Sequence, residues 1–216
     1  MEDQAKPRTW KQNPEGVRAD ILRIARQEFA ANGLARTRIE DIAARTKTSK
    51  RMVFYYFGDK ESLYTAVLEH AYAEVRAGEA ELDVEDLPPD QALQKLVEFT
   101  FDHHRANPDF IHLVMIENVY GGQHIRNIRN MAEQNEGAIR ILRKICDAGQ
   151  KAGLFRDDIS PLAIHWQISA MSFFNVSNEA TFSLNFGTDL FSAEGQMQLR
   201  AAAARSVVQS VLKDRP

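Results

Sequence analysis

Residues 50–56 crowd two cations, Lys50 and Arg51, with Met52, Phe54, Tyr55 and Tyr56, and two hydroxyls, Thr48 and Ser49, stand directly before them. Lysine and arginine can neutralise phosphates, and arginine can also make two hydrogen bonds to a guanine edge in the major groove. Phe54 or Met52 can lie against a thymine methyl, and a Tyr55 or Tyr56 hydroxyl can reach a phosphate. Arg38, a short way upstream, can meet the backbone or a base edge. The same rings could instead be core, as aromatic stripes usually are. Enzymatic chemistry is far less well supplied. The chain has no glycine-rich phosphate loop, no GxSxG and no HExxH. His103, His104 and His112 lack the spacing of metal ligands, because adjacent histidines point to different helix faces. Glu117 has no nameable partner for acid–base work. No catalytic residue, metal site or cofactor is expected.

Short helices must position these groups. Thr37-x-x-Glu40 has the form of a capping box at a helix start, with Ile39, Ile42 and Ala43 following at helical spacing. The pattern breaks at Thr46-Lys47-Thr48. Ser49 is then a plausible N-cap for a helix over Lys50–Phe57, Gly58 its stop, and Asp59 the cap of a helix beginning at Lys60. Val53 and Phe57 lie one turn apart and should face a small core with Ile42 and Phe29. Upstream, an amphipathic helix from Glu15 to Ala31 carries Ile21, Leu22, Ala25 and Phe29 on one face and ends at Asn32-Gly33. Two short helices joined by a tight turn, the second rich in cations and aromatics, form a helix-turn-helix layout.

The order SK-x-x-x-(F/Y)-YYF-x-x-KE-x-L after T-x-x-x-D-I-A resembles the DNA-binding domain of TetR/AcrR-type transcriptional regulators, strongly over residues 16–70. Within that family the head is similar to the subgroup that contains the pyrimidine-utilisation repressor, through TRIE-x-IA, SK and YYF-x-x-KE-x-LY-x-AVL. The resemblance implies a phosphate contact for Lys60, beside a helix terminus that favours anions, and aromatic hydroxyls on phosphate. Two departures stand out. Lys47 occupies a turn position that usually carries glycine, and Phe54 stands where many members carry tyrosine.

Charge is distributed to suit such a head. The whole chain of 216 residues has a net charge of −3, yet residues 1–60 hold 13 Lys and Arg against 8 Asp and Glu. A basic head on an acidic body presents one end to phosphates. Residues 1–14 read as a flexible arm in which Lys6, Arg8 or Lys11 can contact phosphate. Cys146 is alone, which excludes an intrachain disulfide and favours a small buried apolar role over redox sensing. No apolar run is long enough to cross a membrane, and the N-terminus lacks the apolar segment of a secretory signal, so a cytoplasmic location is the default.

Downstream, apolar periodicity gives helices over Glu61–Ala80, from an Asp90 cap to Asn107-Pro108, over Phe110–Tyr120, Gln123–Lys151, from Ser160-Pro161 to 178, and over Gln196–Leu212. Thr181–Ala193 fits either a loop or an extension of the preceding helix. No stretch alternates at period two. The expected fold is therefore all-α with about nine helices: a flexible arm 1–14, a three-helix helix-turn-helix domain 15–60, and a helical ligand-binding and dimerisation domain 61–216. The resemblance implies that the helices at 160–178 and 195–213 pair with their symmetry mates in a homodimer, although their apolar faces would also suit the monomer's own core. A dimer reads both halves of a palindromic operator in double-stranded DNA. The resemblance further implies a small-molecule effector, of unknown identity, in the body. Phe101, His104, Glu117, Tyr120, Trp166, Phe173, Phe174 and Asn178 are the candidate contacts, as bulky or polar groups on mainly apolar faces. The expected function is a ligand-responsive transcriptional regulator, a repressor released by its effector. The alternative is a regulator whose body binds a protein.

Overall fold

A computed structural model of the chain describes residues 13–46, 48–128 and 131–213. The arm residues Lys6, Arg8 and Lys11, and Lys47 in the turn, lie outside them. The described residues are all-α, with ten α-helices and two short 3-10 turns, and the strand-like pairing among them is one isolated bridge, Phe155 with Leu212. The chain divides into two compact units, one running to Ala71 and including Ile116–Ile128, the other comprising Tyr72–Met115 and the chain from Arg129 onward.

The first unit begins with α1, Pro14–Arg36, capped by the Asn13 side chain, which accepts from the Gly16 amide. The expected stop at Gly33 is visible as a break within α1, where φ is +69 and the helical path is lost before a last turn to Arg36. Helices α2, Ile39–Arg45, and α3, Lys50–Phe57, follow. The start of α4, Lys60–Ala80, closes the unit's core. Phe29, Ile42, Val53, Phe57 and Tyr64 are all buried there, with Phe29 and Tyr64 edge-to-face at 5.0 Å. Burying large rings is the main stabilising contribution in so small a unit.

One expected device is not formed. Thr37 does not cap α2: its hydroxyl donates to the Gly33 and Glu28 carbonyls, at 2.8 and 3.1 Å, and so finishes α1. Arg38 takes the N-cap position of α2 without a side-chain hydrogen bond. Glu40, the other half of the box, pairs with Lys50 at 2.5 Å. A charge-assisted contact to an ammonium outcompetes reaching back to a neutral amide.

In the second unit, α5, Pro89–Ala106, α7, Met131–Lys151, α8, Pro161–Ser177, and α10, Ala193–Val211, enclose a core of Leu93, Val97, Phe101, Leu142, Phe155 and Val207. Helix α5 starts two residues earlier than expected, with Pro88 as N-cap and Asp90 inside the first turn. Ser160 caps α8 as expected, accepting from the Ala163 amide. Residues 179–193 form neither a plain loop nor a simple extension. A separate helix α9, Glu179–Phe186, ends at Gly187, where φ is +87, and a 3-10 turn over Asp189–Phe191 leads to Ser192, which caps α10. Helix α10 therefore begins three residues before the expected Gln196.

The expected helix Gln123–Lys151 is also shorter. It begins at Met131, and residues 125–127 form a 3-10 turn instead. The reason lies in the first unit. Glu117, near the end of α6, Pro108–Val119, turns its carboxylate to the amides of His124 and Ile125, at 3.0 and 3.2 Å, and to His124 Nδ1 at 2.9 Å. Those contacts hold the chain in a turn where periodicity alone favours a helix.

Candidate nucleic-acid interface

Helix α3 is only eight residues long, so its ends decide its direction. Ser49 caps it through a 3.2 Å bond from the Met52 amide, and the Thr48 amide donates to the Ala43 carbonyl at 3.1 Å, tying the turn to α2. At the other end Gly58 has φ +82 and ψ −71, and the Asp59 amide donates back to the Phe57 carbonyl at 3.1 Å, a γ-turn that glycine tolerates best. Asp59 then caps α4, accepting from the Ser62 amide at 2.7 Å. That bond holds the Asp59 carboxyl below its usual range.

With both ends held, helix period sorts the side chains. Val53 and Phe57 are buried, whereas Lys50, Arg51 and Tyr55 are exposed and Met52, Phe54 and Tyr56 half-buried. Tyr55 is 77% exposed, a large ring left in water except for an edge contact with Tyr56 at 5.4 Å. Lys50 crosses the Phe54 ring at 5.6 Å on its way to Glu40. The Lys50 hydrogen bond keeps the Glu40 carboxyl low. Both partners of this ion pair are about half exposed, so it contributes little to stability and leaves the ammonium free to exchange to a phosphate.

Four of the sequence-predicted residues meet at one depression of about 530 Å³: Arg38, Lys50, Phe54 and Lys60 share its walls with Thr37 and Glu40. Lys60 points its ammonium at the Thr37 and Ala35 carbonyls, 3.2 and 3.4 Å away, at the seam where α1 ends and α2 begins. The result is a cationic, partly aromatic surface on a rigid three-helix support.

The eight residues singled out in the body do not converge. Phe101 and Phe174 line one apolar cavity of about 460 Å³, with Phe182 and Phe191 of the 179–191 segment opposite. His104 is buried beside Phe110 and His103. Burial, then the neighbouring His103, Arg76 and His165, hold its imidazole down at about 4, so it is neutral at pH 7. Phe173 is half-buried and Asn178 is the C-cap of α8, donating to the Ser177 hydroxyl. Trp166 is 72% exposed. Glu117 and Tyr120 belong to the first unit, where Glu117 is consumed by the turn it holds. Sequence reasoning overlooked Arg76 and Glu79. A usable signal existed, since Glu79 continues the register Leu68, Ala71, Val75 of α4 and therefore had to be buried.

A short capped helix showing cations and aromatics on one face, carried on two others, defines a helix-turn-helix DNA-binding protein. The description of bacterial regulatory proteins of the tetR family matches residues 21–67, and that of the tetracyclin repressor-like C-terminal domain matches residues 89–207. The chain belongs to the TetR family of transcriptional regulators, which are not enzymes. It is 38% identical over 179 residues to the HTH-type transcriptional repressor NicS of Pseudomonas putida, covering 83% of this chain and 84% of that protein. Among solved structures, the transcriptional regulator SCO4942 from Streptomyces coelicolor is 26% identical, with a TM-score of 0.69 over 93% of this chain and 99% of that one. A tetR-family regulatory protein from Rhodococcus RHA1 shares the fold at a TM-score of 0.72 and 21% identity, over 92% of this chain and 98% of that one. Among the described residues no helix is long and apolar enough to cross a membrane, and no cluster of ligands that could hold a metal is present.

Proposed function

We propose that this chain is a ligand-responsive, sequence-specific repressor that acts in the cytoplasm as a homodimer on a palindromic operator. Residues 15–60 serve as the DNA-binding head, and residues 61–216 as the body that dimerises and takes the effector. The observation that carries this assignment is α3: Lys50, Arg51 and Tyr55 stand exposed on a helix whose opposite face, Val53 and Phe57, is locked into the core. Arg51 reads a base edge, Lys50 and Lys60 meet phosphates, and Arg38, Thr48, Ser49 and Tyr56 extend the contact along the backbone. Met52 or Phe54 packs on a thymine methyl. Repression, rather than activation, is supported by the naming of the P. putida relative as a repressor.

A dimer is supported by apolar groups left in water on α8 and α10, including Leu162, Trp166 and Met197. Two heads then read half-sites one helical turn apart. Helix α4 follows directly on the head and runs on into the second unit, so an effector that favours one arrangement of its C-terminal turns alters the spacing of the heads and weakens operator affinity. Gel shifts on a fragment upstream of the gene test the assignment. Retention that depends on a palindrome and falls steeply with salt is expected, and Arg51→Ala should weaken it by roughly tenfold or more. Unchanged affinity in Arg51→Ala would remove α3 from the groove.

A further inference from the structure

The last turns of α4 carry a buried ion pair at the wall of a cavity. Val75 and Glu79 lie one turn apart, and Glu79 is only 5% exposed, although a carboxylate is costly to bury unless well partnered. Arg76 meets it through Nη1, while the Arg76 Nε is buried without a hydrogen-bond partner. Burial pushes the Glu79 carboxyl up from its usual range, against the pull of Arg76. Both residues line a cavity of about 550 Å³ within the second unit. Leu82 and Ile141 give it an apolar side, and Arg140 and Lys144 of α7 contribute two further cations. With Glu79 and Glu85 counted, the lining holds three cations and two carboxylates, so it is positive by one.

We propose that this cavity is the effector site and that it takes a small carboxylic acid with an apolar body, the carboxylate binding Arg76 in competition with Glu79 while the body lies along Leu82 and Ile141. This rests on the ligand-responsive assignment above and gives the effector a chemical class. Three features select it. A guanidinium with an unfilled buried donor suits a planar carboxylate, which accepts two parallel bonds. A surplus of one positive charge suits a monoanion, where a phosphate dianion would overshoot. The volume suits a small metabolite whose apolar part is desolvated against the aliphatic side. The mainly apolar cavity at Phe101 and Phe174 has no cation in its lining to hold an acid. Displacing Glu79 from Arg76 also acts on α4 itself, whose first turns lie in the first unit.

Titration calorimetry on the full chain tests the site with benzoate and hexanoate as probes, and with benzamide, hexanamide, acetate and inorganic phosphate as controls. At least one of the two acids should bind, and the amides, acetate and phosphate should not. Glu79→Gln removes the competitor and should tighten acid binding by about tenfold, the gain expected when one charge-assisted bond no longer has to be broken. Arg76→Gln leaves Glu79 unpaired, so the double variant Arg76→Gln/Glu79→Gln is the safer probe of fold. It should melt like the parent and lose acid binding. No binding of either acid, equal binding of the amides, or undiminished binding by the double variant overturns the site. Operator retention is measured on the same preparations. A chain that retains operator but ignores acids refutes this site alone, whereas acid binding without operator retention refutes the regulator assignment.

Discussion

Thr37 shows how one side chain can change jobs between neighbouring helices. Its hydroxyl is buried and shares its proton between the Glu28 and Gly33 carbonyls, the second of which also accepts from the Thr37 amide, so it acts where helix ends are short of donors rather than acceptors. Replacing it by valine keeps the shape and removes both bonds. Thr37→Val should cost about 1–2 kcal/mol of stability in chemical denaturation, with Thr37→Ser retaining most of it. A Thr37→Val protein as stable as its parent would mean that the α1 terminus finds water instead. Glu117 makes the same point from the other direction: its carboxylate looks available for a ligand in the sequence, yet two backbone amides and an imidazole already occupy it. Arg51 is the opposite case, a cation left exposed to solvent.

Among the elements, α3 depends on its two ends more than on its length. Ser49 and Gly58 set where it begins and stops, and the γ-turn at Gly58 sets the angle at which α4 leaves. A Cβ at Gly58 meets nothing within 4 Å, so the penalty for Gly58→Ala is purely that of the backbone, about 1–3 kcal/mol. The chain relieves that strain by re-angling α3 against α4, so operator binding should fall more than thermal stability does. Comparing the two losses by gel shift and melting checks this, and a variant that melts lower while binding DNA normally would show that the turn sets stability alone. Helix α9 is the contrasting element. It has no buried residue, leaves Leu184 and Phe186 in water, and is bounded by Asn178 and Gly187, so periodicity offered no firm choice between loop and helix there.

At the scale of the whole molecule, the apolar surface of the second unit is unusual for a monomer. Trp166 is 72% and Leu162 64% exposed, one turn apart on the same face of α8. Large exposed apolar groups gathered in this way mark an interaction surface. Since neither ring nor branch supports the monomer's own core, Trp166→Glu should leave helicity and folding intact while splitting the proposed dimer. Sedimentation should then show a species of about half the parent's mass, and operator binding should collapse because a single head makes too few contacts. A Trp166→Glu protein that still sediments with the parent would place the dimer contact elsewhere.

Much of the recognition segment was legible without coordinates, because capping, glycine punctuation and helix period act within about one turn of chain. Ser49, Lys50–Phe57, Gly58 and Asp59 behave as their types and spacing require, and the split of α3 into buried and exposed faces follows from period alone. Where two local devices competed, proximity in the fold decided. Thr37 and Glu40 abandoned their box for partners on α1 and α3, and the 3-10 turn at 125–127 displaced a helix because Glu117 reached it. The cavities belong wholly to tertiary structure. Phe101 and Phe182 line one cavity, and Arg76 and the cations of α7 line the other, through packing of segments distant along the chain, which no local pattern encodes. Sequence settles what each turn of helix can show; only the packing settles what stands opposite.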